Sequence, residues 1–366
     1  MNWTYFIVLG LGSMILLTDL TLIINWLFNL KSYNNQPATC PFVSIFVAAR
    51  NEENHIESCL NQLLQMDYPS DKIEILVGND NSTDQTLQRA NSIAEKDSRI
   101  RVFDISTNLG LARGKANVLA HLAHHARGAY YFITDADTRV PESWVKYLLG
   151  AVEQHTGIIS GITTVTGKGL WARLQNMEWL NALGMLKIVT DMGIPVTGIG
   201  NNMMITREAY EKVGGYEQIP FSVVEDFQLT IEVLKAGFGV INLFDPQVTA
   251  ITYPAIKVTD ILNQRKRWMN GAVKIPIILK LILVVQVLAI PLCVVLLFYN
   301  VVMAFSFLVL KILLRSAFSF FVYKKVKQKF NFDTILLYDL YAGLLTLMTL
   351  IYYVIPVKLD WKGRKY

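Results

Sequence analysis

The chain has 366 residues, 52% of them hydrophobic and 17% charged, with a mean hydropathy of +0.34 and a net charge of +5. An ordinary soluble domain is nearer a quarter charged, and here the apolar excess lies at the two ends, which points to membrane segments around a globular middle. The three cysteines, Cys40, Cys59 and Cys293, match no metal-site spacing and make no disulfide framework, and the modest positive charge forms no nucleic-acid-binding module.

Residues 6–30 are almost wholly apolar, long enough for one bilayer crossing of roughly 20 residues. No Lys or Arg precedes them and Lys31 follows at once. That pattern favours an uncleaved anchor at 1–30 over a cleaved leader, with the next domain on the cytoplasmic side. From 41 to 271 the composition turns globular. Apolar, β-branched runs predict strands at 42–49, 73–78, 100–105 and 129–134, and amphipathic spacing predicts helices at 52–66, 83–94 and 112–126. Strands alternating with helices imply an α/β domain with a mostly parallel sheet, whose ligands sit outside the carboxyl ends of the strands. Residues 275–321 hold two apolar helices with a turn near Tyr299-Asn300, 323–329 form a basic loop, and 333–357 hold one more span. The membrane domain thus covers 275–357 with about three helices, and 358–366 is a basic tail. Placing that tail outside conflicts with the positive-inside tendency, so its side of the membrane stays open.

Polar residues cluster where the strands end. Ala48-Ala49-Arg50-Asn51-Glu52-Glu53 closes the first strand, and Gly78-Asn79-Asp80-Asn81-Ser82-Thr83-Asp84 closes the second. Both read as capped turns or as carboxylates placed to hold a base or ribose, with Asp80 the foremost candidate. Gly110-Leu111-Ala112-Arg113-Gly114-Lys115 is no Walker sequence, yet it puts a Lys at a helix start. The fourth strand ends in Asp135-Ala136-Asp137, two carboxylates suited to a hard cation, Mg2+ or Mn2+, shared with phosphate oxygens. Val224-Glu225-Asp226 precedes an amphipathic helix at 227–234; its acids serve as caps or, at Asp226, as a base for an attacking hydroxyl. Gln264-Arg265-Lys266-Arg267-Trp268 precedes the second apolar region and reads as an interface anchor, a diphosphate contact, or both.

In this order, over about 41–271, these motifs resemble glycosyltransferase family 2, the inverting enzymes with a Rossmann-like GT-A fold. The resemblance implies that Ala48, Arg50, Glu52, Asp80, Lys115 and Asp135 meet the nucleotide. It implies Asp137, with Asp135, on the metal, and Asp226 as catalytic base beside Glu225. Gln264, Arg267 and Trp268 fall to the diphosphate and acceptor, and the segments around Asn201 and Gly215 to the sugar. Many members carry Thr before the Glu-Asp pair, where this chain has Val224. One leading span, about three trailing spans and the tail from Trp361 to Tyr366 resemble enzymes of the ceramide-glucosyltransferase type. The expected activity is therefore transfer from a UDP-sugar to a membrane lipid or lipid-linked acceptor at the cytoplasmic face. A short processive polysaccharide synthase is the alternative on the same fold, and a non-catalytic membrane binding or assembly protein is the alternative of another class. Product size separates the first, and release of UDP without added protein separates the second. The donor sugar, the acceptor and the oligomeric state are left open.

Overall fold

The computed structural model describes residues 3–33, 37 and 39–356, together with the backbone alone at 360, 361, 364 and 365. The side chains of the expected tail, Trp361 to Tyr366 included, lie outside the described residues. The chain divides into two compact units, one made of Met1–Leu30, Gly167–Ile188 and Pro254–Leu359, the other of Lys31–Thr166, Val189–Tyr253 and Asp360–Tyr366. Residues 41–271 thus contribute to both units.

The second of these units is an α/β domain. Its strands are β1 (Val43–Ala49), β2 (Ile73–Asn79), β3 (Ile100–Asp104), β4 (Tyr130–Asp135), β5 (Thr156–Ser160), β6 (Ile162–Val165), β7 (Asn202–Thr206), β8 (Gly239–Asn242) and β9 (Thr249–Thr252). Seven form one sheet in the order β3-β2-β1-β4-β7-β5-β8, in which β7 runs antiparallel to both of its neighbours and the other pairings are parallel. β6 and β9 make a separate parallel pair. Both faces of the large sheet are covered, which is why its central strands read as unbroken apolar runs. Side chains alternate between faces with period two. Val43, Ile45 and Val47 join Ile73, Ile75, Val77 and Phe132 in one core with the helices Ile56–Leu63 and Trp144–Gly150. Phe46, Leu76, Tyr131 and Ile133 enter the opposite core with the helices Lys115–His125 and Glu225–Lys235.

The expected strands appear within a residue of their expected ends, but the helices start later. Ile56–Leu63, Thr86–Ala94 and Lys115–His125 begin three or four residues inside the ranges expected from periodicity. Before the first two of these helices, the intervening residues are spent on two facing turns. Asn51 and Asn81 adopt left-handed backbone (φ 53° and 49°). The Asn51 N–H donates to Ser82 Oγ (3.0 Å), Asn51 Oδ1 accepts from the Thr83 N–H (2.9 Å), and the Glu52 N–H donates to Thr86 Oγ1 (2.7 Å). Residues that look like helix caps therefore lace the ends of β1 and β2 together.

A buried carboxylate secures the opposite edge of the sheet. Glu74 is 1% exposed, and its Oε1 accepts from Ser44 Oγ (2.7 Å) and the Arg127 N–H (2.7 Å). Its Oε2 accepts from Arg127 Nε (3.0 Å) and Arg101 Nη1 (3.3 Å).

The other unit is helical. Among the described residues, three helices are long and apolar enough to cross a membrane, Tyr5–Phe28, Val301–Lys325 and Phe332–Val354, and the pair Ile277–Val287 and Ala289–Tyr299, bent by 46°, can serve as one broken span. Pro291 lies in the first turn after that break, where its missing N–H removes the bond that would continue the preceding helix. The turn expected near Tyr299-Asn300 is present; the Asn300 side chain caps the next helix by accepting from the Met303 N–H (3.0 Å). A helix that composition alone did not mark, Leu170–Asp191, also begins in this unit. Inside it a buried pair, Lys311 Nζ and Asp19 Oδ2 at 2.6 Å, is joined by Gln286 Oε1 at 2.5 Å.

Candidate active site

The register of the strands brings the acidic motifs to one rim. Ala48 lies opposite Asp135, Ala49 opposite Asn79, and Asn79 opposite Asp104. β7 runs the other way, so its first residue, Asn202, sits beside Thr134 and delivers the preceding loop, Gly198 to Asn201, to the same rim. The carboxyl ends of parallel strands are where ligands bind in such sheets.

Asp80 follows β2, and its N–H donates to the Ala49 carbonyl (2.9 Å). Arg50 Nη1 donates to the Asp80 carbonyl (2.6 Å), so Arg50 braces the turn that carries Asp80. Both Asp80 and Glu52 are buried, at 7% and 5% exposure. Asp84 shapes the same turn. Burial works against its charge, but donors from the Thr86 hydroxyl and the Thr86 and Glu53 N–H groups hold its carboxyl below the usual carboxylate range.

Lys115 opens its helix after Gly114, whose backbone (φ 58°, ψ −134°) suits glycine. Its ammonium lies 2.5 Å from Asp135 Oδ1, 3.3 Å from Glu225 Oε1 and 3.0 Å from the Gly200 carbonyl oxygen. Asp226 stands on the first turn of the helix Glu225–Lys235 rather than ahead of it. Its Oδ2 accepts from the Gly200 N–H (2.7 Å) and its Oδ1 from the Phe227 N–H (2.8 Å). Asp137 is partly exposed, with Thr138 Oγ1 at 3.4 Å. Among the described residues, no group of three or more His, Cys, Asp or Glu side chains could by itself hold a metal ion.

The loop before β7 is tied down at each residue. The Gly198 N–H donates to Thr230 Oγ1 (2.9 Å), the Ile199 N–H to Ser160 Oγ (2.9 Å), and Asn201 Oδ1 accepts from Thr163 Oγ1 (2.9 Å). Asn202 turns inward instead, accepting from Trp144 Nε1 (2.7 Å) and donating to the Ile162 (2.7 Å) and Val248 (2.9 Å) carbonyls. Gly215 has φ 60°, and a Cβ there would stand 2.8 Å from the Tyr210 ring, so both conformation and space call for glycine.

The basic pentad belongs to the helical unit, on the helix Val258–Ala272. Arg265 and Lys266, which the sequence reading passed over, are its buried members. Arg265 forms a fork with Glu178 (Nε–Oε1 2.8 Å, Nη2–Oε2 2.6 Å), donates to Gln264 Oε1 (2.8 Å), and lies 4.2 Å above the Trp268 ring. Lys266 Nζ donates to the Tyr352 (3.1 Å) and Ile355 (2.9 Å) carbonyls at the end of the helix Phe332–Val354. Gln264, Arg267 and Trp268 are partly exposed on the same helix. Only helical phase separates the two sets, and five consecutive polar or aromatic residues do not reveal that phase.

The sequence model of glycosyl transferase family 2 matches residues 44–214, and that of glycosyl transferase family group 2 matches residues 131–355. A probable glycosyltransferase of Bacillus subtilis, YdaM, is 31% identical over 253 residues, covering 66% of this chain and 58% of that protein. The beta-monoglucosyldiacylglycerol synthase of Synechocystis is 27% identical over 241 residues, covering 63% of this chain and 48% of its own length. This chain thus spans about half the length of the curated relatives it matches. Among solved structures, the mannosyltransferase PcManGT from Pyrobaculum calidifontis, in complex with GDP-Man and Mn2+, superposes with a TM-score of 0.60 over 94% of this chain and 92% of its own, at 20% identity. That likeness establishes a shared GT-A fold. Since the group 2 model covers more than half of its residues, this chain belongs to glycosyl transferase family 2.

Proposed function

We propose that this chain transfers a sugar, with inversion, from a UDP-sugar to a membrane lipid or lipid-linked acceptor. The observation that carries the reading is the rim itself: the ends of β2 and β4, the loop before β7 and the start of the helix Glu225–Lys235 lie together and bring Asp80, Asp135, Asp137 and Asp226 with them. In the transfer, an acceptor hydroxyl oxygen bonds to the anomeric carbon. The bond from that carbon to the diphosphate breaks and its electron pair leaves with the diphosphate. The hydroxyl proton passes to Asp226, whose Oδ2 accepts from the Gly200 N–H and whose Oδ1 accepts from the Phe227 N–H.

Asp80 and Glu52 are the carboxylates proposed to hold the base and ribose, on a turn braced by Arg50. The donor set at Asp137 is a single hard oxygen ligand, since Asp135 is engaged with Lys115. Such a set fits a cation that takes its other ligands from substrate phosphates and water. Asp137 would hold a Mg2+ or Mn2+ ion, which would supply positive charge against the departing diphosphate. On the strength of the sequence resemblance alone, Gln264, Arg267 and Trp268 are added as contacts of the diphosphate and acceptor.

A lipid acceptor is supported by the spans and by the relative that is named as a glucosyldiacylglycerol synthase. The α/β unit is proposed to face the cytoplasm, with Lys31 on the inner side of the first span. The deciding experiment incubates membranes containing the chain with a panel of radiolabelled nucleotide sugars and extracts the products into organic solvent. Label from a UDP-sugar in the lipid phase supports the proposal. Label only in a polymer ladder replaces it with a processive synthase, and transfer from a different nucleotide sugar corrects the donor.

A further inference from the structure

An ammonium group has three N–H donors and no acceptor. At Lys115 each donor has an oxygen in reach, from Asp135, Glu225 and Gly200. These acceptors come from three segments far apart in sequence: the end of β4, a helix start and the loop before β7. Burial works against the charge, but the carboxylates of Asp135, Glu225 and Asp226 outweigh it and hold the ammonium protonated well above the ordinary lysine range. The Gly200 carbonyl that accepts from Lys115 belongs to the residue whose N–H donates to Asp226 Oδ2. Gly200 is therefore pinned at both ends, by the lysine on one side and the proposed base on the other. There is no slack between them, because a Cβ on Gly200 would stand 2.8 Å from Asp226 Oδ2 and 3.0 Å from its Cβ.

We infer that Lys115 is a positioning residue that sets the Asp226 carboxylate through the Gly200 backbone, in place of the direct nucleotide contact implied by the sequence resemblance. The inference rests on the reading of Asp226 as the base. Without the ammonium, Asp135 and Glu225 face each other as like charges and repel. The Gly200 carbonyl loses its donor, and the loop that orients Asp226 is free to shift. Misplacing a reacting group by about 1 Å costs on the order of 100-fold in rate. The link from Lys115 to Asp226 runs through the Gly200 backbone, so its loss is expected in turnover rather than in UDP affinity.

The test uses the full chain in detergent or native membranes. Turnover at saturating donor and the dissociation constant for UDP are measured separately for Lys115→Met and Gly200→Ala. Both variants are expected to lose roughly 100-fold in turnover while UDP affinity stays within about threefold of wild type. Gly200→Ala leaves every charge in place, so it decides the matter if Lys115→Met fails to fold. A Lys115→Met enzyme that keeps its turnover but binds UDP tenfold more weakly overturns the inference, as does wild-type turnover in Gly200→Ala. Asp226→Asn, run alongside, separates the two levels. If it keeps wild-type turnover, the base reading falls and takes this inference with it. If it abolishes turnover while the other two variants leave turnover intact, only the positioning role is lost.

Discussion

Replacing Asp226 by Asn removes the proposed base with little change of shape. In the folded chain Asp226 accepts two N–H bonds, from Gly200 at 2.7 Å and Phe227 at 2.8 Å. Asn keeps one acceptor oxygen, and directing it to Gly200 turns its own amide N–H group toward the Phe227 N–H. One hydrogen bond to a charged group is lost, about 1.5–3 kcal/mol when fully buried. Asp226 is partly exposed, so water can answer the stranded donor and the cost falls to about 1 kcal/mol. Against a typical stability of about 5–15 kcal/mol, the fold survives. A general base contributes about 100- to 10,000-fold in rate, equal to about 3–5 kcal/mol of barrier at 1.36 kcal/mol per decade. Catalysis should therefore collapse while folding and donor binding do not. Initial rates of lipid labelling, UDP affinity and the melting temperature of the detergent-solubilised protein are read on one preparation. Turnover within tenfold of wild type, with the fold intact, refutes Asp226 as base.

Asp137→Ala is expected to abolish transfer, and a chelator should silence the wild type until Mg2+ or Mn2+ is restored; full activity in excess chelator would remove the metal from the mechanism. Glu74→Ala should destabilise the α/β unit by about 3 kcal/mol, because it strands buried donors. Glu74→Gln should cost only about 1 kcal/mol, since its oxygen can keep Ser44 and the Arg127 N–H while the arginines, 38% and 66% exposed at their side chains, turn to water; denaturant curves of equal midpoint for the two variants contradict that ranking. Lys311→Leu should lower the melting temperature in detergent by taking from Asp19 its ion-pair partner among apolar helices, and the double variant Asp19→Leu with Lys311→Leu should recover most of the loss. A double variant no better than the single one would mean that the pair is not coupled.

The first half of the sheet was legible because physics leaves a simple trace there. Strands buried on both faces are apolar runs, and the polar residues at their ends must serve turns or ligands. β1 to β4 and the acids that follow them could be read on that basis alone. The starts of the helices could not, because Asn51, Ser82, Thr83 and Asp84 have the composition of caps but bond across to the neighbouring turn. β7 was missed for a related reason. Nothing local to Asn-Met-Met-Ile-Thr states that it runs against its neighbours, and Asn202, polar in sequence, is spent wholly inside the fold. Lys115 was picked out from a glycine-flanked helix start, but its three acceptors lie 20, 85 and 110 residues away in sequence, and pairings of that range leave no periodic signature. The pentad is the opposite case: its residues were visible, yet which of them face inward depends on Glu178 and Tyr352, which lie on other helices.

The bond from Lys266 to the Ile355 carbonyl spans 89 residues of sequence. A ribosome must add that whole length, including the helix Phe332–Val354, before the acceptor exists. Until then the ammonium lacks the Tyr352 and Ile355 carbonyls that tie Val258–Ala272 to the end of that helix. Maturation of this segment is thus timed by translation, and nascent chains arrested short of Ile355 should leave it open to a protease that spares the finished protein.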